Sequence, residues 1–227
     1  MIPETTREPG ERGRGRRGPT LAQALSHFWR YPSPWLLSAA LVTAVAARIA
    51  VGDWRAADAI VPLAVAVAFP FVEWIVHVCV LHWRPRRVAG LTLDSLLARK
   101  HREHHVNPRD TGLVFIPLPS LIGAIVSATA VALLAFPRLG LGLTFLTVVM
   151  AVGLVYEWTH YLVHTDYKPR GAVYRFIWRN HRLHHFKNEH FWYAVTTPGT
   201  ADRILGTYPD AAAVPSSPTV KDLHAGV

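Results

Sequence analysis

The sequence is nearly without cysteine, since Cys79 is the only one in 227 residues. A lone cysteine cannot form an internal disulfide or build a thiolate-rich structural zinc site. The sequence also lacks the H-E-x-x-H motif of zinc proteases, a glycine-rich phosphate loop and the G-x-S-x-G motif of serine hydrolases. It therefore gives no support to these three kinds of enzyme.

Acidic residues are scarce as well. The chain has 24 Lys and Arg against 15 Asp and Glu, while 51% of its residues are hydrophobic. A basic chain can bind nucleic acid. Here, however, the basic residues flank long apolar runs, which is typical of membrane proteins. We therefore predict a membrane protein with no nucleic-acid partner.

Four apolar runs are long enough to cross a bilayer once their polar flanks are included. They cover residues 35–51, 59–80, 113–136 and 139–156. Only Pro137 and Arg138 separate the last two, which predicts a tight helical hairpin. Arg48, near the end of the first run, is expected to snorkel towards water. The fold class is thus predicted as all-α, with about four transmembrane helices and a histidine-rich helical cap.

Lysine and arginine also predict the orientation of the chain. The N-terminal arm, residues 82–111 and the segment after residue 165 are basic, so we place all three, with both termini, in the cytoplasm. We expect a disordered basic arm over residues 1–20, a membrane domain over 21–208 and a disordered tail over 209–227. The arm is not expected to be a signal peptide, because the first long apolar run begins only near Trp35. A short interfacial helix is expected over residues 21–31, and residues 82–109 are expected to form a helix that lies on the membrane surface.

Histidine is the residue with an unusual distribution, because eleven of the thirteen histidines form two clusters, each just after an apolar run. The clusters are His77, His82, His101, His104 and His105 upstream, and His160, His164, His181, His184, His185 and His190 downstream. Each contains an H-x-x-H-H triplet, which on a helix is predicted to aim three imidazoles at one point. His77 and His82 lie ~140° apart on an ideal helix, so a helix end or bend is expected between them.

These spacings indicate a metal site. Neutral imidazole binds iron, zinc, copper and nickel, and ten candidate ligands suit two ions. The repeated triplet suggests a pseudo-symmetric site with one half from each hairpin. A metal transporter would place its ligands along a path through the membrane, whereas these histidines collect at one face.

Four stretches carry a resemblance to a known family. They are E-W-I-V-H-V-C-V-L-H-W-R-P from Glu73, H-R-E-H-H-V-N-P-R-D from His101, T-H-Y-L-V-H from Thr159 and H-R-L-H-H-F from His181. Over roughly residues 70–207 the chain resembles the membrane fatty acid hydroxylase superfamily, which also holds sterol desaturases and carotenoid hydroxylases. Within that superfamily it is most similar to fatty acid 2-hydroxylases.

The resemblance implies an O2-dependent lipid hydroxylase with two iron ions, although zinc can occupy such a site in a purified protein. It assigns no catalytic residue beyond the metal ligands. By position, those ligands are His77, His82, His101, His104, His105, His160, His164, His181, His184 and His185. The substrate is expected to be a membrane lipid, hydroxylated on its acyl chain at C2. The chain has no room for the cytochrome b5-like domain of many members, so the electron donor is expected to be a separate cytochrome b5-like protein or ferredoxin.

Other residues are candidates for supporting roles. Glu73 and Glu157 are expected to accept the second imidazole N–H of a ligand, and Asp166 and Asp202 are further candidates. His190 has no counterpart in the family pattern, and Ala201 stands where many members carry Trp. The basic residues proposed to hold a lipid head group are Lys168, Arg170 and Lys187.

Two alternative functions stay open at this stage. One is a sterol or carotenoid hydroxylase or desaturase of the same superfamily. The other is a non-redox membrane protein that binds or transports metal.

Overall fold

The computed structural model describes residues 18–224, so most of the predicted disordered arm lies outside the described residues. Four helical segments are long and apolar enough to cross a membrane: Pro32–Val51, Ala56–Leu81, Thr111–Leu134 and Leu139–His164. The prediction of a helical membrane protein with four spans is therefore confirmed.

The helices are named in chain order. They are α1 (Leu21–Phe28), α2 (Pro32–Val51), α3 (Ile60–Val76), α4 (Leu96–Val106), α5 (Leu118–Leu134), α6 (Leu139–His164), α7 (Ala172–Phe186) and α8 (Thr200–Ile204). Short 3-10 turns cover Ala56–Ala59 and Thr111–Leu113, and a π-helical turn covers His77–Leu81. Local sequence explains several starts: Thr20 and Gln23 form a capping box on α1, and the Ser95 hydroxyl caps α4.

Helix α6 is the centre of the bundle and packs against α2, α3 and α5. One apolar core between these helices consists of Leu37, Ala44, Leu121, Ala132, Leu143, Leu146 and Met150. Gly142 lets α6 approach α5 closely, because a Cβ atom there would overlap the carbonyl group of Ala132. The predicted hairpin of the third and fourth spans is thus held by direct backbone contact.

Helix α6 continues beyond the apolar run that predicts it. The run ends at Tyr156, but the helix reaches His164 and carries Glu157, His160 and His164 as buried residues. The sequence becomes polar there because those residues face the interior of the cap and not the lipid. The fourth span and the histidine cap are therefore one rigid element.

Residues 82–109 are only partly helical, contrary to the predicted surface helix. Two short antiparallel strands, β1 (Arg86–Val88) and β2 (Leu91–Leu93), precede α4. The turn between them contains Ala89 at φ 49° and Gly90 at φ 81°. Two successive positive φ values are those of a type I′ hairpin turn, and Pro85 prevents a helix from continuing into β1.

The described part of the predicted disordered tail also differs from expectation. Val214 and Leu223 are buried, at 8% and 4% exposure. The Ser217 amide donates a hydrogen bond of 2.7 Å to the Lys187 carbonyl, just after α7. The composition suggests disorder because it is rich in Pro, Ala and Ser, but its few apolar residues have a surface on the cap to bury against.

Arg48 does not snorkel. It is 2% exposed and its guanidinium lies 2.8 Å from Asp58 and 3.2 Å from Asp53. Arg138 contacts the same two aspartates from the turn between α5 and α6. At the end of the bundle away from the histidines, this four-residue ion network joins the α2–α3 loop to the α5–α6 turn.

Candidate metal centre

The ten histidines predicted as ligands come together at one end of the bundle. They form two groups, within each of which one ring nitrogen per residue lies within 4.8 Å of the others. Group one contains His77, His82, His101, His105 and His184. Group two contains His104, His160, His164, His181 and His185. Nine of the ten residues are buried, and His82 is half-buried.

The triplets do not each aim at one point, so that prediction is wrong. His101 and His105 join group one while His104 joins group two, and His181 and His185 join group two while His184 joins group one. The second and third histidines of a triplet are adjacent in sequence and point ~100° apart on a helix, so they diverge. Each group therefore takes four histidines from one half of the chain and one from the other. This is the expected pseudo-symmetry, with the middle histidines exchanged.

The π-helical turn explains how His77 and His82 reach the same group. The His82 amide donates to the His77 carbonyl over 3.0 Å, which is the i→i+5 bond of a π turn. The two ring centroids are consequently only 5.0 Å apart. The predicted bend between the two histidines is confirmed in this form.

Main-chain carbonyls orient several of the imidazoles. The Nδ1 atom of His77 donates to the Tyr193 carbonyl (2.6 Å), and that of His184 donates to the Phe191 carbonyl (2.9 Å). The Nδ1 atom of His105 donates to the Val220 carbonyl (3.0 Å), and that of His164 donates to the Pro108 carbonyl (2.7 Å). A carbonyl only accepts hydrogen bonds, so Nδ1 carries the proton in each of these neutral rings. Their Nε2 atoms are left with a bare lone pair, which is the form that binds metal.

These lone pairs face one another. The Nε2 atom of His101 lies 3.2 Å from those of His77 and His105, both of which are bare. In group two the bare Nε2 atom of His164 lies 3.2 Å from that of His104 and 3.0 Å from that of His181. In group one the single proton that His101 Nε2 can carry cannot bridge both bare neighbours, so at least one pair of nitrogen lone pairs meets without a hydrogen between them. In group two the single lone pair of His164 Nε2 faces two neighbouring ring nitrogens. A cation among them would remove this repulsion, and the donor set fits a metal such as iron or zinc.

Burial keeps the cap histidines neutral. It lowers the pKa of His101, His104, His181, His184 and His185 well below the ordinary value, and neighbouring histidines lower it further. Burial also lowers the pKa of His105 to about 4, although the Val220 carbonyl opposes this shift. Protons therefore do not compete for the ring nitrogens at neutral pH.

The prediction that Glu73 and Glu157 accept an imidazole N–H is wrong. Glu73 accepts the Thr196 amide (2.7 Å) and the hydroxyls of Thr196 (2.6 Å) and Thr197 (2.8 Å). Glu157 accepts the Ile116 amide over 3.0 Å. Each carboxylate joins a span to a nearby loop, and among the described residues neither carboxylate is hydrogen-bonded to a histidine.

Asp202 has a more direct connection to group one. Its carboxylate accepts the amides of Tyr193 (3.0 Å) and Ala194 (2.9 Å) and the Thr207 hydroxyl (2.6 Å). It thereby fixes the loop whose Phe191 and Tyr193 carbonyls orient His184 and His77. Burial raises the pKa of Asp202, with the three hydrogen bonds opposing the shift.

The remaining candidates lie further out. Asp166 is exposed, and His190 is exposed with its Nε2 atom 3.4 Å from Glu189. Lys168 and Arg170 are exposed and Lys187 is half-buried. Sequence reasoning missed Val220, which acts through its main-chain carbonyl and so leaves no signal in its side chain.

An apolar cavity of about 540 Å³ lies between α3, α5 and α6. Its walls include Phe69 and Val76 of α3, Ala124 of α5 and Val149 of α6. Tyr156 also lines it, and the Tyr156 ring lies 5.6 Å from that of His160. The cavity thus runs along the spans and ends beside the histidines, since Val76 directly precedes His77.

Comparison with known proteins identifies the family. The family model for fatty acid hydroxylase matches residues 62–207, which include all ten histidines. A fatty acid 2-hydroxylase of Mus musculus is 29% identical over 132 residues, covering 56% of this chain and 34% of the mouse protein. The aligned stretch thus spans about a third of that relative, and no solved structure matches the chain. With the family match over nearly two thirds of its length, the chain belongs to the fatty acid hydroxylase family.

Proposed function

We propose that the chain is an O2-dependent lipid hydroxylase in which each histidine group holds one metal ion, iron in the native protein. The observation that carries this proposal is the convergence of ten imidazoles, nine of them buried, beside one end of an apolar cavity. The ligands would be His77, His82, His101, His105 and His184 for one ion, and His104, His160, His164, His181 and His185 for the other. When bound, the ions supply the redox chemistry that activates O2 and oxidises a C–H bond.

The cavity suggests an acyl chain as the substrate. Its walls are apolar apart from Glu73 and Tyr156, and it lies among helices that cross the membrane. An acyl chain can enter it from the bilayer without passing through water. Val76 and Tyr156 would then hold the reacting carbon near the histidines, while Phe69 and Val149 line the deeper part.

The position of the centre favours reaction near the carboxyl end of the chain, at C2. The two histidine clusters follow directly on the apolar runs of the second and fourth spans, so we place the centre at the depth where lipid head groups lie. A lipid that stays in the bilayer presents its carboxyl end at this depth and its methyl end near the midplane. The similarity to a fatty acid 2-hydroxylase supports the same carbon.

The reaction needs a reductant. Hydroxylation combines one C–H bond, O2, two electrons and two protons, and yields the alcohol and one water. The electrons would come from a separate cytochrome b5-like protein or ferredoxin in the cytoplasm. The basic residues around α4 favour a cytoplasmic cap and cytoplasmic termini, and a C-terminal reporter active only outside the cytoplasm should therefore give no signal.

The test is to combine purified protein with iron, a reductase system, labelled oxygen and a fatty acyl lipid. One labelled oxygen is expected at C2, with activity lost in His181→Ala and retained in His190→Ala, whose side chain is exposed. Elemental analysis should find two ions per chain. Oxidation at the methyl end, a double bond, or turnover only with sterol or carotenoid would refute the acyl C2 assignment. Metal binding without O2 consumption would instead favour a non-redox metal protein.

A further inference from the structure

The C-terminal segment 214–224 reaches the metal centre although it lies beyond the family match, which ends at residue 207. The Val220 carbonyl accepts the Nδ1 proton of His105 over 3.0 Å. The His224 ring nitrogen Nε2 lies 3.2 Å from the His82 carbonyl. Two of the five histidines of group one are thus in contact with this segment, one through its ring and the other through its main chain.

Glu189 anchors the segment from the end of α7. It is 2% exposed, and its Oε1 atom accepts the hydroxyls of Ser217 (2.9 Å) and Thr219 (2.5 Å). Burial alone would raise the pKa of Glu189, but these bonds and nearby His190 hold it below the ordinary value. An ionised, buried carboxylate thus fixes the residues immediately before Val220, because leaving it without donors would be costly.

Further contacts make the segment part of the cap. The Ser217 amide is bonded to the Lys187 carbonyl, and Val214 and Leu223 are buried. The Val220 carbonyl is therefore held at three points around it, by Glu189, by Lys187 and by packing. A carbonyl fixed in this way can select the tautomer and ring orientation of His105.

The two groups differ in their dependence on this segment. In the described part of the chain, no hydrogen bond joins residues 214–224 to a histidine of group two. His164 of that group is oriented by the Pro108 carbonyl, which follows α4. Removing the segment should therefore affect one group and spare the other.

We infer that segment 214–224 is a positioning element for group one: Glu189 fixes it, and its Val220 carbonyl orients His105 for metal binding. This inference rests on the proposed two-metal centre. Groups that orient a ligand typically change metal affinity 10–100-fold when removed. The metal in group one should then be held less tightly without the segment, while that in group two is unchanged.

The experiment compares the whole chain with a chain truncated after Ala213, using elemental analysis and the rate of iron loss to a chelator. The whole chain is expected to hold two ions. The truncated chain should hold about one, or should lose one of two at least 10-fold faster. His164→Ala in the truncated chain should remove the ion that remains.

A second variant tests the anchor in the intact chain. Ser217→Ala with Thr219→Ala should speed the loss of one ion, whereas Ser216→Ala, at an exposed neighbouring position, should not. The double variant tests the role of segment 214–224 even if the truncated chain fails to fold. Two ions lost at unchanged rates from the double variant would overturn the inference. A whole chain holding fewer than two ions would instead overturn the proposed function on which it rests.

Discussion

His104 and His184 occupy exchanged places, since each lies in the group built mainly from the other half of the chain. Each is the middle histidine of its triplet and has neighbours that belong to the opposite group. The two groups are therefore interleaved through α4 and α7, and neither is complete without both halves of the chain.

We expect His184→Ala to weaken the metal in group one and His104→Ala to weaken that in group two. Each variant should lose about one of two ions and nearly all hydroxylation, because both ions belong to one centre. Elemental analysis and turnover would check this. His190→Ala is the control, since that side chain is exposed. Equal loss of both ions in each variant would mean that the groups do not bind independently.

Asp202→Ala should free the loop that carries the Phe191 and Tyr193 carbonyls. We expect iron affinity at group one to fall ~10–100-fold, because His184 and His77 lose their orientation. A competition titration with a chelator would measure it. Asp210→Ala, at an exposed position, provides the matched control, and an unchanged affinity in Asp202→Ala would contradict this role.

Val149→Trp should shorten the acyl chains that are accepted. Val149 lines the cavity eleven residues before His160, which is ~16 Å along α6. We expect turnover of long chains to fall while short chains and metal content are unaffected. Val148→Trp serves as the control on the adjacent face of the helix. If both variants retain long-chain turnover, the cavity is not the acyl site.

Arg48→Met should lower the melting temperature in detergent by roughly 5 °C or more, because it leaves Asp53 and Asp58 without one cation of their network. Metal content at low temperature should be unchanged, since the network lies at the far end of the bundle. Arg55→Ala, at an exposed position in the same loop, should have little effect. A melting temperature that stays constant in Arg48→Met would show that Arg138 alone suffices.

Acid should release segment 214–224. The pKa of Glu189 is lowered in the folded protein, so the stabilisation that its charge provides is complete above about 4.5 and is lost as the pH falls through the folded-state value. The protection of residues 214–224 against hydrogen exchange, relative to an unfolded peptide at the same pH, should fall in that range. In Glu189→Gln the segment should exchange faster at neutral pH and respond less to acid. An identical pH response in both proteins would exclude Glu189 as the anchor.

The sequence predicts most of the fold and the members of the site. Apolar runs locate four spans, and histidine spacing selects the ten residues that converge. The exchange of His104 and His184 is not predictable in this way, because it depends on how α4 and α7 are rotated against each other. The roles of the Val220, Tyr193 and Phe191 carbonyls cannot be predicted from the sequence either. Every residue has a carbonyl, and only the folded structure determines which one accepts a hydrogen bond from a histidine ring.

The extent of α6 shows a related limit. Hydropathy drops at Glu157, so the predicted span ends at Tyr156, although the helix reaches His164. Polarity indicates an end when the polar residues meet water. Here the polar residues face one another inside the cap. The drop in hydropathy therefore marks the point where one continuous helix passes from the membrane into the cap.

The π turn at His77–Leu81 determines how the chain leaves the second span. An i→i+5 turn holds one residue more than an α-helical turn, so the chain before and after it differs in register by one position. Deleting one of the four residues between His77 and His82 would restore a regular helix and give the i,i+4 spacing that His160 and His164 have in α6. The extra residue thus keeps both imidazoles in group one while it changes the direction in which the chain leaves the second span towards β1.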